Sequence, residues 1–250
     1  MQRNTCLIIG TAFLTTVCAT AQQIHPRLKS KEFAIQSVAV MPAYVEVTKS
    51  GMKGREAMSE AASQLTTKLQ EIIANELRAR RVKVVGAAKP AAEQDTAMKT
   101  AMADVQQKYD GLHPQLSKKP KDVTKGRFTL GDSVAEFHAV EPVQVLAFIR
   151  ASGYVPTGGK KLMGALVAAG AGGAAGAAAM GPAGFFADIA FVDAKNGEIL
   201  ALASLGTTGG AATKTVSKTD MTLDKSVDKN LTKLVSKALK KLPVAGEKKS

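Results

Sequence analysis

The apolar positions in the first third of the chain follow two periods, which predict strands and a helix in alternation. An apolar run predicts a buried strand that ends at Pro42 (Phe33, Ile35, Val38 and Val40). From about Glu56 to Arg80 the apolar residues recur at helical spacing, which predicts an amphipathic helix. The segment Val82–Gly86 predicts a second strand. Such a β-α-β unit with short connections favours parallel pairing in one sheet.

The middle of the chain predicts two more helices, a loop and a strand. Apolar residues share one face of a helix in the segment that follows Asp95 (Ala97, Met98, Ala101, Met102 and Val105). The Pro- and Lys-rich segment from Gly111 to Gly126 predicts an exposed loop. A short helix capped by Asp132 and a strand from Val143 to about Val155 follow.

The last part of the chain predicts a hairpin and a terminal helix. Strand-forming residues flank Asn196-Gly197, which favours a positive-φ turn (Ile189, Phe191 and Ile199). From about Asp224 to Leu242 the apolar residues lie on one helical face and lysines on the other, and Pro243 ends the helix. Such a helix either docks on the sheet or lies on an anionic membrane surface. Docking is favoured, because the sheet otherwise has few helices to cover it.

The segment from Leu162 to Ala187 carries no charge and consists mostly of Gly and Ala. Its length passes a simple membrane-spanning test, but Gly and Ala contribute little transfer free energy, and Pro182 would break a single helix. We therefore expect a small-residue insertion between two strands, either disordered or a tight helical hairpin.

The N-terminus has the order of a secretory signal peptide. Arg3 precedes an uncharged apolar run that is too short to span a bilayer, and Ala19-Thr20-Ala21 follows it. This pattern predicts cleavage after Ala21 and export from a bacterial cytoplasm. Lipidation at Cys18 is the alternative, although the residues before Cys18 do not form a good lipobox.

These elements together predict an α/β fold: a single mixed sheet flanked by helices, with a Gly/Ala-rich insertion between two strands. The expected organisation is a signal peptide over residues 1–21, one α/β domain over 22–242 with the insertion at about 157–186, and a disordered basic tail over 243–250.

Charge changes the expected partners more than it changes the fold. The chain has a formal net charge of +13, and the region from Lys214 to Ser250 has ten lysines and only four acidic residues. The terminal helix could therefore contact an anionic membrane surface. Nucleic acid is not the expected partner, because the cations are mostly lysines and no aromatic residues alternate with them.

No catalytic, cofactor-binding or metal-binding group emerges from the sequence. The only two cysteines lie in the predicted signal peptide, and His25, His113 and His138 are far apart. Gly153 to Lys161 fails the spacing of a phosphate-binding loop, and the G-x-G-x-x-A match at Gly170–Ala175 follows no good strand. No G-x-S-x-G elbow occurs. We therefore expect a protein that is not an enzyme and needs no cofactor.

The strand "SVAVMPA" and the later "FVDAKNGEILA" resemble motifs of the curli secretion-channel lipoprotein (CsgG-like) family. They are also similar to those of the related periplasmic α/β domains of penicillin-binding-protein activators. In that group a late V-D-x-x-T-G-E-I-L turn recurs, and here Asn196 stands in the place of Thr (with Val192, Asp193, Gly197, Glu198, Ile199 and Leu200 matching). The resemblance implies a periplasmic assembly or accessory role.

The predicted function is that of a non-catalytic, exported cell-envelope protein, periplasmic or outer-membrane-associated, which binds another envelope protein. The sequence leaves open whether it also forms a homo-oligomer. One alternative is a membrane-associated oligomer related to secretion channels. The other is an envelope hydrolase with acids gathered from distant positions (for instance Glu136, Glu141 and Asp188).

Overall fold

The computed structural model describes residues 19–30, 32–51, 54–85, 96–140, 142–156, 184–208 and 225–244. The strands in these ranges are β1 (Ala19–Ile24), β2 (Ser37–Val40), β3 (Tyr44–Gly51), β4 (Gly54–Ala57), β5 (Lys83–Val85), β6 (Val145–Pro156), β7 (Gly184–Asp193) and β8 (Ile199–Thr208). The helices are α1 (Pro26–Lys29), α2 (Ser59–Ala79), α3 (Thr96–Lys118), a 3₁₀ helix (Pro120–Lys125), α4 (Ser133–Val140) and α5 (Lys225–Leu239).

The strands form one mixed sheet in the order β1-β8-β7-β6-β2-β5, which confirms the predicted fold class. Strand β6 pairs with β7 on one side along most of its length. On its other side it pairs in parallel first with β2, where Val38 lies opposite Val145, and then with β3, where Tyr44 lies opposite Arg150. Strands β2 and β5 are also parallel, as the β-α-β prediction requires.

Alternate residues of the central strands face two separate hydrophobic layers. Helices α2 and α5 pack on one face of the sheet, against residues of β6 such as Ala147 and Ile149. Helices α3 and α4 and the 3₁₀ helix pack on the other face, against Leu146 and Phe148. Successive side chains of a strand point to opposite faces, so one strand supplies both layers.

The hairpin of β3 and β4 was not predicted, and it corrects the start of the first long helix. Glu56 lies in β4 opposite Lys49, and α2 begins only at Ser59. The backbone of this segment is held extended by pairing with β3, and Met58 N donates to Val47 O at 2.8 Å. A charged, exposed strand at a sheet edge carries no apolar alternation that the sequence pattern would reveal.

The predicted exposed loop from Gly111 to Gly126 is wrong. Helix α3 continues through Pro114 to Lys118, and the 3₁₀ helix follows at once. The buried side chains of Leu116 and Val123 extend the apolar layer on this face. Their packing outweighs the Pro- and Lys-rich composition from which a loop was inferred.

The predicted hairpin is confirmed, with a different turn. Strands β7 and β8 are antiparallel, and Gly197 N donates to Asp193 O at 2.9 Å across a loop of Ala194–Gly197. Only Gly197 of the Asn196-Gly197 pair has a positive φ, at 74°. The side chain of Asn196 instead accepts a hydrogen bond from Glu198 N, as in an Asx turn.

Helix α5 docks on the sheet, as predicted, and buries its apolar face against α2, β8 and β1 (Leu231, Leu234, Val235, Ala238 and Leu239). No helix in the described ranges is both long enough and apolar enough to cross a membrane. The predicted tail lies outside the described residues apart from Pro243 and Val244. Of the insertion expected at about 157–186, residues 157–183 also lie outside the described residues, and β7 begins at Gly184.

Candidate functional site

The candidate site is an open cleft at one end of the sheet, on the face that carries α3. Beyond Phe148 and Ala190 the apolar alternation of β6 and β7 gives way to polar and aromatic side chains. The pairing places these residues in two cross-strand rows: Tyr44, Arg150, Asp188 and Ser204, then Glu46, Ser152, Phe186 and Gly206. The first three residues of each row line a cleft of about 260 Å³, together with Ala151, Ala187 and, from α3, His113 and Pro114.

Asp188 is the most connected polar residue of the cleft. Its Oδ1 accepts a hydrogen bond from Ser204 Oγ at 2.5 Å, and its Oδ2 lies 3.3 Å from His113 Nε2. The same His113 nitrogen lies 3.4 Å from Ser117 Oγ. These contacts tie β7, β8 and α3 together at the floor of the cleft.

Arg150 is held by one acid and one aromatic ring. Its guanidinium donates to Asp110 Oδ1 at 3.0 Å, and its Cζ lies 4.5 Å from the centre of the Tyr44 ring. A cation over an aromatic face is attracted by the ring quadrupole. Tyr44 is thereby fixed at the edge of the cleft while 47% of its surface stays exposed.

Tyr109 lies beneath the cleft and is completely buried. Its ring stacks on Phe148 with centres 4.4 Å apart, and it also contacts the ring of His113. Its hydroxyl has no hydrogen-bond partner among the described residues. Burial, and then the negative charge of Asp188, raise the pKa of Tyr109 well above its ordinary value.

The arrangement of these groups does not activate a nucleophile. In a serine hydrolase the histidine lies between the serine and the acid, whereas here Asp188 lies between Ser204 and His113. A single nitrogen, His113 Nε2, faces both Asp188 and Ser117, so it cannot accept a proton from Ser117 while it donates to the acid. The geometry positions side chains and fits binding better than bond cleavage.

The acids named for a hydrolase do not come together in the cleft. Asp188 lines it, Glu136 is exposed on α4 and is not among the lining residues, and Glu141 lies outside the described residues. The histidines are equally dispersed. His25 caps α1 by accepting from Arg27 N, and His138 Nδ1 lies 2.9 Å from Val143 O. Within the described ranges no three His, Cys, Asp or Glu side chains are arranged to hold a metal ion.

The matched turn motif has a structural role away from the cleft. Asp193 is buried at the end of β7, where its Oδ2 accepts from Arg27 of α1 at 3.0 Å, and Glu198 accepts from the same nitrogen at 2.5 Å. The hydrogen bond to Glu198 raises the pKa of Arg27 above its ordinary value. Burial alone would raise the pKa of Glu198, but hydrogen bonds with Arg27 and Asn196 and the charge of Arg27 lower it overall. The segment Gly170–Ala175, which loosely matched a dinucleotide-binding loop, lies outside the described residues.

Sequence reasoning named Asp188 but missed its neighbours in the cleft. A usable pattern was present, because β6 and β7 both change from apolar to polar or aromatic at alternate positions on one face, at Arg150 and Ser152 and at Asp188 and Phe186. That His113 meets these strands depended on α3 continuing past Gly111, which the sequence composition did not indicate.

Fold and cleft together define an α/β domain whose described helices leave one end of the mixed sheet uncovered. No family model and no curated protein matches the chain. Among solved structures it is similar to a PelC dodecamer from Paraburkholderia phytofirmans, with 14% sequence identity and a TM-score of 0.39, covering 91% of this chain and 99% of that one. A PelC point variant from the same organism, also a dodecamer, is similar with 13% identity and a TM-score of 0.41, covering 92% and 99%. This structural similarity is distant, and the family resemblance drawn from the two motifs stays a prediction.

Proposed function

We propose that the chain is a non-catalytic, exported protein of the bacterial cell envelope that binds another envelope protein through the cleft. One observation carries the proposal. Among the described residues only Tyr44 and Phe186 are large apolar side chains with high exposure, at 47% and 52%, and both line the cleft. Exposed aromatic side chains grouped in a depression are typical of protein-binding sites.

The surroundings of the two rings indicate what kind of partner segment fits. The ring of Phe186 covers Gly184 and Gly206, where an added Cβ would come within 2.9 Å and 2.7 Å of it, so the ring provides a broad apolar surface. Glu46 is exposed in the same row, on the far side of Ser152, and Asp188 is partly exposed in the neighbouring row. The cleft therefore fits a segment that places an apolar side chain next to a lysine or arginine.

In-cell photo-crosslinking tests this proposal. A photoreactive amino acid in place of Phe186 should give an adduct with another envelope protein. The same amino acid in place of Glu136, an exposed residue that does not line the cleft, should give none. Addition of Tyr44→Ser to the Phe186 probe should reduce the adduct.

Three outcomes would contradict the proposal. Equal adducts from positions 186 and 136 would show that the cleft is not the binding surface. An adduct only with a second copy of this chain would favour the oligomer alternative instead. Fractionation of the protein with the cytoplasm would remove the envelope assignment.

A further inference from the structure

The exposed face of α5 is a second surface with a marked chemical character. The apolar face of the helix is buried, while from Lys229 onward, where the side chains are described, the exposed charged residues of the helix are all lysines (Lys229, Lys233 and Lys237). Lys240 and Lys241 continue this surface just past the end of the helix. None of the five forms an ion pair with a described residue.

The end of α2 brings two more cations to the same place. The guanidinium of Arg80 donates to Leu239 O and to Ser236 O, and so it satisfies carbonyl groups at the C-terminus of α5. Arg78 and Arg81, which lie within two residues of Arg80 in the sequence, are both exposed. We call the group formed by these two arginines with Lys237, Lys240 and Lys241 the basic corner.

Arg81 occupies a backbone position that normally favours glycine. Its φ is 64°, and no other non-glycine residue in the described ranges has a positive φ. It stands just after α2, where Val82 N donates to Leu77 O and the helix ends in a left-handed residue. A side chain costs free energy there relative to glycine. Arg81 is exposed and forms no ion pair with a described residue, so packing does not offset this cost.

We propose that the basic corner and the lysine face of α5 bind the surface of an anionic phospholipid membrane. The cations begin at Lys229, extend along roughly 15 Å of helix and continue past its end to Lys241, which fits a plane of many anions better than a single phosphate group. Because the apolar face of α5 is buried, the helix does not insert, and the attraction is electrostatic and sensitive to salt.

This surface leaves the cleft free. Helix α5 packs on one face of the sheet, and the cleft residues Phe186 and Asp188 lie on the other. A protein held to a membrane through α5 would therefore keep the cleft open to a partner. The inference goes beyond the proposed function and does not depend on the cleft having a partner.

Vesicle sedimentation of the purified, exported form tests the proposal. Vesicles of equal parts phosphatidylcholine and phosphatidylglycerol should bind the protein at low salt. Binding should fall steeply at high salt and be weak with phosphatidylcholine alone. Each basic side chain near the surface contributes roughly fivefold in affinity. The variant Lys233→Glu/Lys237→Glu/Lys240→Glu should therefore lose at least about a hundredfold.

A charge-matched variant and a single substitution separate the proposal from simpler explanations. Lys99→Glu/Lys118→Glu/Lys121→Glu makes the same charge change at exposed lysines of α3 and the 3₁₀ helix, on the other face of the sheet, and should stay within about threefold of the unaltered protein. Arg81→Gly should weaken binding roughly fivefold while the melting temperature stays the same or rises, because the backbone strain is relieved.

Three results would overturn the proposal. One is no preference for phosphatidylglycerol by the unaltered protein. Another is an equal loss in both triple variants, which would mean that net charge alone drives adsorption. The third is a higher affinity of the same lysines for a soluble anionic polysaccharide than for the vesicles, which would identify a polymer as the partner.

Discussion

The guanidinium of Arg27 lies 3.0 Å from Oδ2 of Asp193, and the two residues are separated by 166 positions in the chain. This ion pair fixes the first described helix to the turn between β7 and β8. Backbone contacts reinforce it, since His25 N donates to Leu200 O at 2.8 Å and Leu28 is completely buried. The turn motif thus holds the N-terminal segment in place.

Replacement of Arg27 by Met should lower the free energy of unfolding by about 2–3 kcal/mol, because Asp193 is left as a buried carboxylate without its cation. Arg127→Met, which removes an exposed arginine 3.8 Å from Asp122, should cost at most about 0.5 kcal/mol. Urea denaturation of both variants measures the difference. Equal losses would show that the Arg27 pair is no stronger than a surface pair.

The second ion pair of Arg27, with Glu198, predicts a pH dependence. The pKa of Glu198 is lowered in the folded protein. The ionised form of Glu198 therefore stabilises the fold above about pH 4.3, the ordinary value for glutamate, and this stabilisation is lost as the pH falls through the lower folded value. Part of the acid destabilisation of the unaltered protein should therefore be missing in Arg27→Met. Denaturation series at neutral and acidic pH test this, and identical slopes in both proteins would contradict it.

Gly197→Ala should lower the free energy of unfolding by roughly 2–4 kcal/mol. The position has a φ of 74°, and a Cβ there would lie 2.6 Å from Gly131 O and 2.7 Å from Gly131 N, which are backbone atoms that cannot turn away. Gly111→Ala is the control, since it lies inside α3 with nothing near its Cβ, and it should stabilise by about 0.5–1 kcal/mol. Thermal unfolding distinguishes the two directions.

Asp188→Asn should lower the free energy of unfolding by about 1–2 kcal/mol, because a charge-assisted hydrogen bond from Ser204 and the contact with His113 are weakened. In assays with cell-envelope substrates, we expect no turnover by the unaltered protein and none by Asp188→Asn. Hydrolysis by the unaltered protein that disappears in Asp188→Asn would establish the hydrolase alternative.

Tyr109→Phe should leave stability unchanged or raise it by up to about 1 kcal/mol at neutral pH, since the buried hydroxyl has no partner among the described residues. Because the pKa of Tyr109 is raised in the folded protein, the neutral phenol stabilises the fold below about pH 10, and this stabilisation is lost as the pH rises above that value. The advantage of Phe should therefore grow in alkali. A loss of stability at neutral pH would indicate a hydrogen bond to the hydroxyl.

Intact-mass measurement of the exported protein should find Gln22 at its N-terminus. Cleavage after Ala21 would leave β1 with Gln22–Ile24, which pair with Ala203–Ala201, while its first three residues and their pairing to Ser204–Gly206 are removed. The Arg27 contacts should then hold the shortened strand. A lipid-modified Cys18 at the N-terminus would contradict this prediction and leave β1 intact.

The sequence alone determined the elements whose pattern is local. The helical spacing of α2 and α5, the β-α-β order and the hairpin around Gly197 follow from short-range periodicity and from backbone conformations that few residues adopt. The docking of α5 could be inferred as well, because one of its faces is too apolar to stay in water.

Only the tertiary structure decided the remaining features. Strand β3 joins the sheet by pairing with β6, more than a hundred residues away, and α3 passes through Pro114 because Leu116 is buried against the sheet layer. The cleft requires both events, since Tyr44 comes from β3 and His113 from α3. The basic corner likewise needs Arg80 to meet the end of α5. Contacts between residues so distant in sequence produce no periodic pattern along the chain, because the packing energy that stabilises them arises only when the layers come together.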